Sequence, residues 1–101
     1  MSKIHMMAIY QVKPDKVDEV RLAVTRFIDA VKEKEPGTLF YESYQGKGDL
    51  SFFHVMTFEN KVGEELHRKT PHMADFVQKL YPNCVEEPGF VELELVGSNV
   101  R

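Results

Sequence analysis

The stretch Thr38-Leu-Phe-Tyr-Glu-Ser-Tyr-Gln45, Gly46-Lys-Gly-Asp49, Leu50-Ser-Phe-Phe-His-Val-Met-Thr-Phe58 decides how this chain folds. Two runs rich in strand-forming residues flank a short segment with two glycines, the pattern of a β-hairpin. Upstream, Val17, Val20, Val24, Phe27 and Val31 recur at alternating steps of three and four. That period predicts an amphipathic helix from Pro14 to about Glu35, with Lys16, Glu19, Arg26 and Lys32 off its buried stripe. Pro36-Gly37 ends it. Before the helix, Ile4 to Val12 reads as a first strand. After the hairpin, Asn60 is placed to cap a short helix to about Arg68, and Thr70-Pro71 to start another to about Leu80. Phe90 to Val96 alternates as a last strand. The order β-α-β-β-α-β predicts an α+β, ferredoxin-like fold: a four-stranded antiparallel sheet with helices on one face, in one domain over residues 1–101.

Length and composition narrow the function. With 101 residues there is room for one core, and 43% hydrophobic with 29% charged residues is ordinary for a globular protein. A formal charge of −3, with scattered Lys and Arg, argues against nucleic acid or an anionic membrane as partner. No stretch nears the roughly 18 apolar residues of a membrane span, and none resembles a signal peptide. The single Cys84 cannot form an internal disulfide, which fits a reducing, cytoplasmic setting. His67 and His72 are five apart, not the four that would align them on one helical face, so no metal site is expected.

Alternation along strands sorts residues between the two faces of the sheet. The last strand decides which side is which: Val91, Leu93 and Leu95 must meet the helices, so Glu92 and Glu94 point away. The same logic puts Ala8, Tyr10, Leu39, Tyr41, Phe53 and Val55 under the helices. The opposite face then carries His5, Met7, Ile9, Phe40, Glu42, Tyr44, Phe52, His54, Met56 and Phe58. So apolar a face needs cover, and a second copy of the same sheet is the expected one, giving a homodimer. Two such sheets would enclose an apolar cavity sprinkled with His and Glu, the usual lining of a small-molecule pocket.

The run His67-Arg-Lys-Thr-Pro-His-Met-Ala-Asp-Phe76 carries the candidate chemistry. Imidazoles exchange protons near neutral pH, and both of these lie at helix ends. With Leu66-His67, Thr70-Pro71-His72 and Phe76, preceded by Phe58-Glu59-Asn60, Glu35-Pro36-Gly37 and Val12-Lys13-Pro14, the chain resembles the antibiotic biosynthesis monooxygenase family from Ile4 to Leu95. The resemblance implies a dimeric α/β-barrel with a pocket between the sheet and helices of each subunit, rather than one cavity at the dimer centre. It implies oxidation of a quinol-like or phenolic aromatic substrate by dioxygen without a cofactor. In that reaction His67 and His72, helped by His54, are the candidate bases. Met7, Ile9, Phe40, Glu42, Phe52, Met56, Phe58 and Phe76 are the candidate substrate-binding residues. Two departures stand out. Met56 occupies a position where many members carry Glu, and Phe58 one where Trp is common. Having no tryptophan, the chain also departs from the haem-degrading branch. Two other readings remain at this point: an isomerase of a small signalling metabolite, which would want a more charged cavity, and a non-catalytic small-molecule-binding dimer.

Overall fold

Four strands and three helices succeed one another along residues 2–101, the residues that this computed structural model describes: β1 (Ile4–Gln11), α1 (Val17–Lys34), β2 (Thr38–Gln45), β3 (Ser51–Phe58), α2 (Lys61–Arg68), α3 (Pro71–Leu80) and β4 (Gly89–Leu93). The sheet is antiparallel in the order β2-β3-β1-β4, with the helices on one face, which is the ferredoxin-like arrangement. One-turn 3₁₀ helices precede α1 at Pro14–Lys16 and follow α3 at Tyr81–Asn83. The hairpin turn places Gly48 at φ +71°, a left-handed conformation that glycine adopts without a Cβ penalty. Beyond Leu93 the chain leaves regular structure, so the last strand is shorter than the alternation to Val96 predicts.

The helix stripe behaves as read: Val20, Val24, Phe27 and Val31 are buried, joined by Ala23, against Tyr10, Val12, Phe52, Phe76 and Leu80. The faces of the strands do not all follow the predicted assignment. Antiparallel partners share a face, and the register pairs Ala8 with His54, Tyr10 with Phe52, and Tyr41 with Met56. Phe52, His54, Met56 and Phe58 therefore lie buried under the helices, while Phe53 and Val55 point the other way. Pairing of Met7 with Val91 and His5 with Leu93 likewise turns Val91 and Leu93 outward and Glu92 to the helix side. Leu39 sits at a β-bulge and is half exposed rather than in the core.

Two physical causes explain the inversion. As an edge strand beyond the helices, β4 is exposed along its whole length, so its pattern does not report the buried face. In β3, His54 can lie on the helix side because both its ring nitrogens find tyrosine partners there. The open face remains apolar with a different membership: Met7, Ile9, Phe40, Tyr44, Phe53, Val55, Val91 and Leu93.

One close approach fixes how the helices meet the rest. Gly63, in the first turn of α2, packs on Gly37 so tightly that a Cβ on it would lie 3.0 Å from the Gly37 carbonyl oxygen. The Asn60 side chain caps this turn by accepting from the Gly63 N–H at 3.0 Å. Gly37 is held in turn by the Glu59 N–H, which donates to its carbonyl at 2.8 Å.

Candidate functional site

Four elements converge on Glu35, the residue that closes α1. Its N–H donates to Val31 O at 3.0 Å and its carbonyl accepts from the Thr38 N–H at 3.0 Å, so its backbone is fixed on both sides. The carboxylate collects three side-chain donors. His67 Nδ1 donates to Oε1 at 2.6 Å, Thr38 Oγ1 donates to Oε1 at 2.7 Å, and His72 Nε2 donates to Oε2. Thr70 welds the last two elements: its hydroxyl accepts from Met73 N at 3.1 Å, capping α3, and donates to His67 O at 3.1 Å. His67 thus comes from the end of α2, and His72 from the second position of α3, directly after Pro71.

The protonation states follow from burial and bonding. Burial alone pushes the Glu35 carboxyl up, but the hydrogen bonds from His72, Thr38 and His67 outweigh it and hold it below the usual range. Burial pushes His67 down, and the Glu35 bond and charge only partly pull it back. The pair is a carboxylate beside a neutral imidazole, with Nδ1–H directed at Glu35. Nε2 of His67 then carries a lone pair, and among the described residues it has no hydrogen-bond partner. A carboxylate behind an imidazole raises its basicity and fixes its tautomer, the arrangement of a general base.

That lone pair belongs to a residue lining a pocket of about 490 Å³ between sheet and helices. Met6, Ala8, Tyr41, Met56, Phe58 and Phe90 supply the sheet wall, and His67, Met73, Glu64 and Arg68 the helix wall, with Tyr81 completing the lining. Its size and largely apolar lining suit an organic molecule of a few rings. Phe58 is packed against the His67 ring at 5.0 Å between centroids, and Tyr41 at 5.7 Å. A larger depression of about 610 Å³ along Lys3, His5 and Glu92–Leu95 is open and gathers no such lining.

Of the eleven residues picked from sequence, the structure brings His67, Met56 and Phe58 to this pocket. Met7, Ile9, Phe40 and Glu42 are on the open sheet face instead. Phe52 and Phe76 are core residues, the first stacked on Tyr10 and the second on Phe27 at 4.5 Å. His72 reaches Glu35 rather than the pocket lining, and His54 has both ring nitrogens engaged, Nε2 with Tyr10 Oη and Nδ1 with Tyr41 Oη, each at 2.7 Å. Neither has the free pocket-facing lone pair a base requires. Sequence reasoning missed Glu35 as a site residue, together with Tyr41, Met6, Met73 and Phe90. Glu35 alone carried a signal: a carboxylate beside Pro-Gly at the end of an apolar helix.

With fold and site in view, the relationships of the chain are consistent. Residues 3–79 match the antibiotic biosynthesis monooxygenase family. An uncharacterized protein of Synechocystis sp. is 30% identical over 84 residues, which cover 82% of this chain and 56% of that protein, so the chain spans little more than half its relative. The solved structure of Rv0793 from Mycobacterium tuberculosis superposes with a TM-score of 0.88 at 15% identity, covering 98% of this chain and 100% of that one. An antibiotic biosynthesis monooxygenase of known structure gives 0.85 at 18% identity, covering 93% and 99%. These two likenesses speak for the fold. The match over residues 3–79 places the chain in the antibiotic biosynthesis monooxygenase family.

Proposed function

We propose that this protein is a cofactor-independent monooxygenase that oxidises a quinol-like or phenolic aromatic compound with dioxygen, using Glu35–His67 as its base. The observation that carries this reading is the free Nε2 of a carboxylate-backed His67 in an apolar pocket. There it removes the hydroxyl proton of the bound substrate. The resulting phenolate, electron-rich and shielded from bulk water, passes an electron to dioxygen, and the radical pair recombines at a ring carbon bearing hydrogen. One oxygen atom stays as a new carbonyl and the other leaves as water, so substrate and dioxygen become quinone and water with no outside reductant. Met6, Met56, Phe58 and Met73 hold the planar ring, and Phe58 and Tyr41 keep the imidazole in place.

A homodimer formed through the open sheet faces belongs to the same reading. Ile9, Phe40, Tyr44 and Val91 are each more than two-fifths exposed there, and the chain's own helices are committed to the other side. Light scattering at micromolar concentration should give twice the 11.7 kDa chain mass. A single-chain mass overturns the dimer.

Oxygen uptake tests the reaction. Menadiol should drive consumption well above its rate of autoxidation, and isotopically labelled dioxygen should leave one labelled atom in the quinone product. Uptake no faster than in buffer with heat-inactivated protein overturns the oxygenase reading.

A further inference from the structure

We infer that Tyr41 donates its phenolic hydrogen to an oxygen of the pocket's occupant, held in that role by a buried relay from Tyr10 through His54. The inference rests on the pocket of the proposed function being the ligand site, and it adds a specificity-determining residue and a positioning residue to it.

Counting protons around His54 shows why. His54 is almost completely buried, and its two ring nitrogens each meet one tyrosine hydroxyl at 2.7 Å. Burial pushes its pKa down to about 4, so the ring is neutral and carries one N–H. Three groups then bring three protons, one from each hydroxyl and one from the imidazole, to two hydrogen bonds. One tyrosine donates to the bare ring nitrogen. The other accepts from the N–H and keeps a proton with no acceptor among the described residues.

Position decides which tyrosine that is. Tyr10 lies 5% exposed in the core, among Val12, Val20, Phe52 and Leu80, and stacks on Phe52. Apart from His54, the Tyr10 hydroxyl has no hydrogen-bond partner among the described residues, Cys84 of the same cluster included, so a spare proton there would go unreceived. Tyr41 lines the pocket. So Tyr10 donates to His54 Nε2, His54 Nδ1–H donates to Tyr41, and the Tyr41 hydrogen is presented to the pocket. Burial and the Glu35 charge hold the Tyr41 phenol protonated, which keeps it a donor.

The consequence is that the occupant must offer Tyr41 an oxygen acceptor, which a phenolate, a second hydroxyl or a carbonyl supplies. Tyr41 and His67 lie side by side, ring centroids 5.7 Å apart. One wants to receive a hydroxyl proton and the other to give a hydrogen bond. A single hydroxyl can donate to His67 and accept from Tyr41 through the same oxygen, and a dihydroxy or hydroxy-carbonyl aromatic can offer Tyr41 a second one.

Two measurements on the full chain test this. Calorimetric titration with 1-tetralone, which offers a carbonyl acceptor but no acidic hydroxyl, should show tighter binding than tetralin, its oxygen-free counterpart. Tyr41→Phe should weaken 1-tetralone by roughly five- to tenfold, the worth of one hydrogen bond, and leave tetralin unchanged. Nitrogen NMR of the imidazole-labelled wild type should show His54 as the Nδ1–H tautomer, a readout that packing alone would not set. An Nε2–H tautomer, or a wild type that does not prefer the ketone, overturns the inference. Ketone preference without quinol oxidation would keep Tyr41's role and sink the oxygenase reading. Oxidation without ketone preference would do the opposite.

Discussion

His54 and His67 are both buried histidines flanking the same tyrosine, and they are put to opposite uses. His54 sits mid-strand on β3 between two neutral hydroxyls, with both nitrogens occupied and its chemistry closed. His67 sits at the end of α2, tied to a carboxylate on one side and left open on the other. In the proposed mechanism, burial by itself does not make a histidine reactive. What matters is which nitrogen the protein leaves without a partner, and whether the other is held by a charge.

The sharpest way to break the comparison is to remove the open nitrogen alone. His67→Asn keeps an amide N–H for Glu35 and loses the pocket-facing lone pair. Menadiol oxidation should fall by about 10²-fold or more, the usual worth of a general base. Equal turnover in wild type and variant would take His67 out of the mechanism. A substitution at the closed site should show up in folding instead. His54→Ala strands two tyrosine hydroxyls and opens a cavity, which should cost about 3 to 5 kcal/mol in urea unfolding. A loss under about 1 kcal/mol would mean the relay is not a packed network.

Acid should separate the two histidines from ordinary surface groups. Both have pKa values depressed below the unfolded value of 6.5, so as pH falls the unfolded chain takes up protons that the folded chain refuses. Stability is therefore full above about pH 6.5 and declines below it. For His54, depressed to about 4, the loss approaches about 3 kcal/mol by pH 4. Glu35, also depressed, adds to the decline at the acid end, where its unfolded form protonates first. Melting curves across this range should fall steadily, and a flat profile from pH 7 to 4 would contradict the assigned protonation states.

His72 is where sequence and structure differ most usefully. Its place beside His67 in the Thr-Pro-His run suggests an equal partner, but among the described residues its one side-chain hydrogen bond goes to the far oxygen of Glu35. Removing it takes one hydrogen bond from that carboxylate, worth about 1 kcal/mol or roughly a fivefold change in rate. A loss as large as that of His67→Asn would restore it as a second base. The smallest effect belongs to Gly63→Ala. The gain in helix propensity and the strain against the Gly37 carbonyl should nearly cancel, leaving stability within about 1 kcal/mol. His67, one turn further along the same face, should nonetheless draw away from Glu35, and turnover should drop about two- to fivefold for the part of a hydrogen bond that is lost.

The element order was legible because it rests on local signals: the Val/Phe stripe of α1, the Gly46–Gly48 turn, and the Asn60 and Thr70 caps. The family was legible from the Leu66–Phe76 run. Face assignment was not, because alternation says which residues share a side and not which side is covered. The strand chosen to decide it, β4, lies at an edge where neither side is buried. Half the site was likewise out of reach. Glu35 meets His67 across thirty-two positions of chain, and no spacing rule reports such a contact.

The contact between Gly37 and Gly63 has a consequence for how this protein can change. In most packed pairs, growth at one position can be absorbed by shrinkage at the other. Here both partners are already the smallest residue there is, and a Cβ on either would fall within 3.2 Å of the other's backbone. No second substitution at the partner position can repair a first. Any lineage that fills this gap must shift a helix or a loop to do it, and the alignment of His67 with its carboxylate shifts with it.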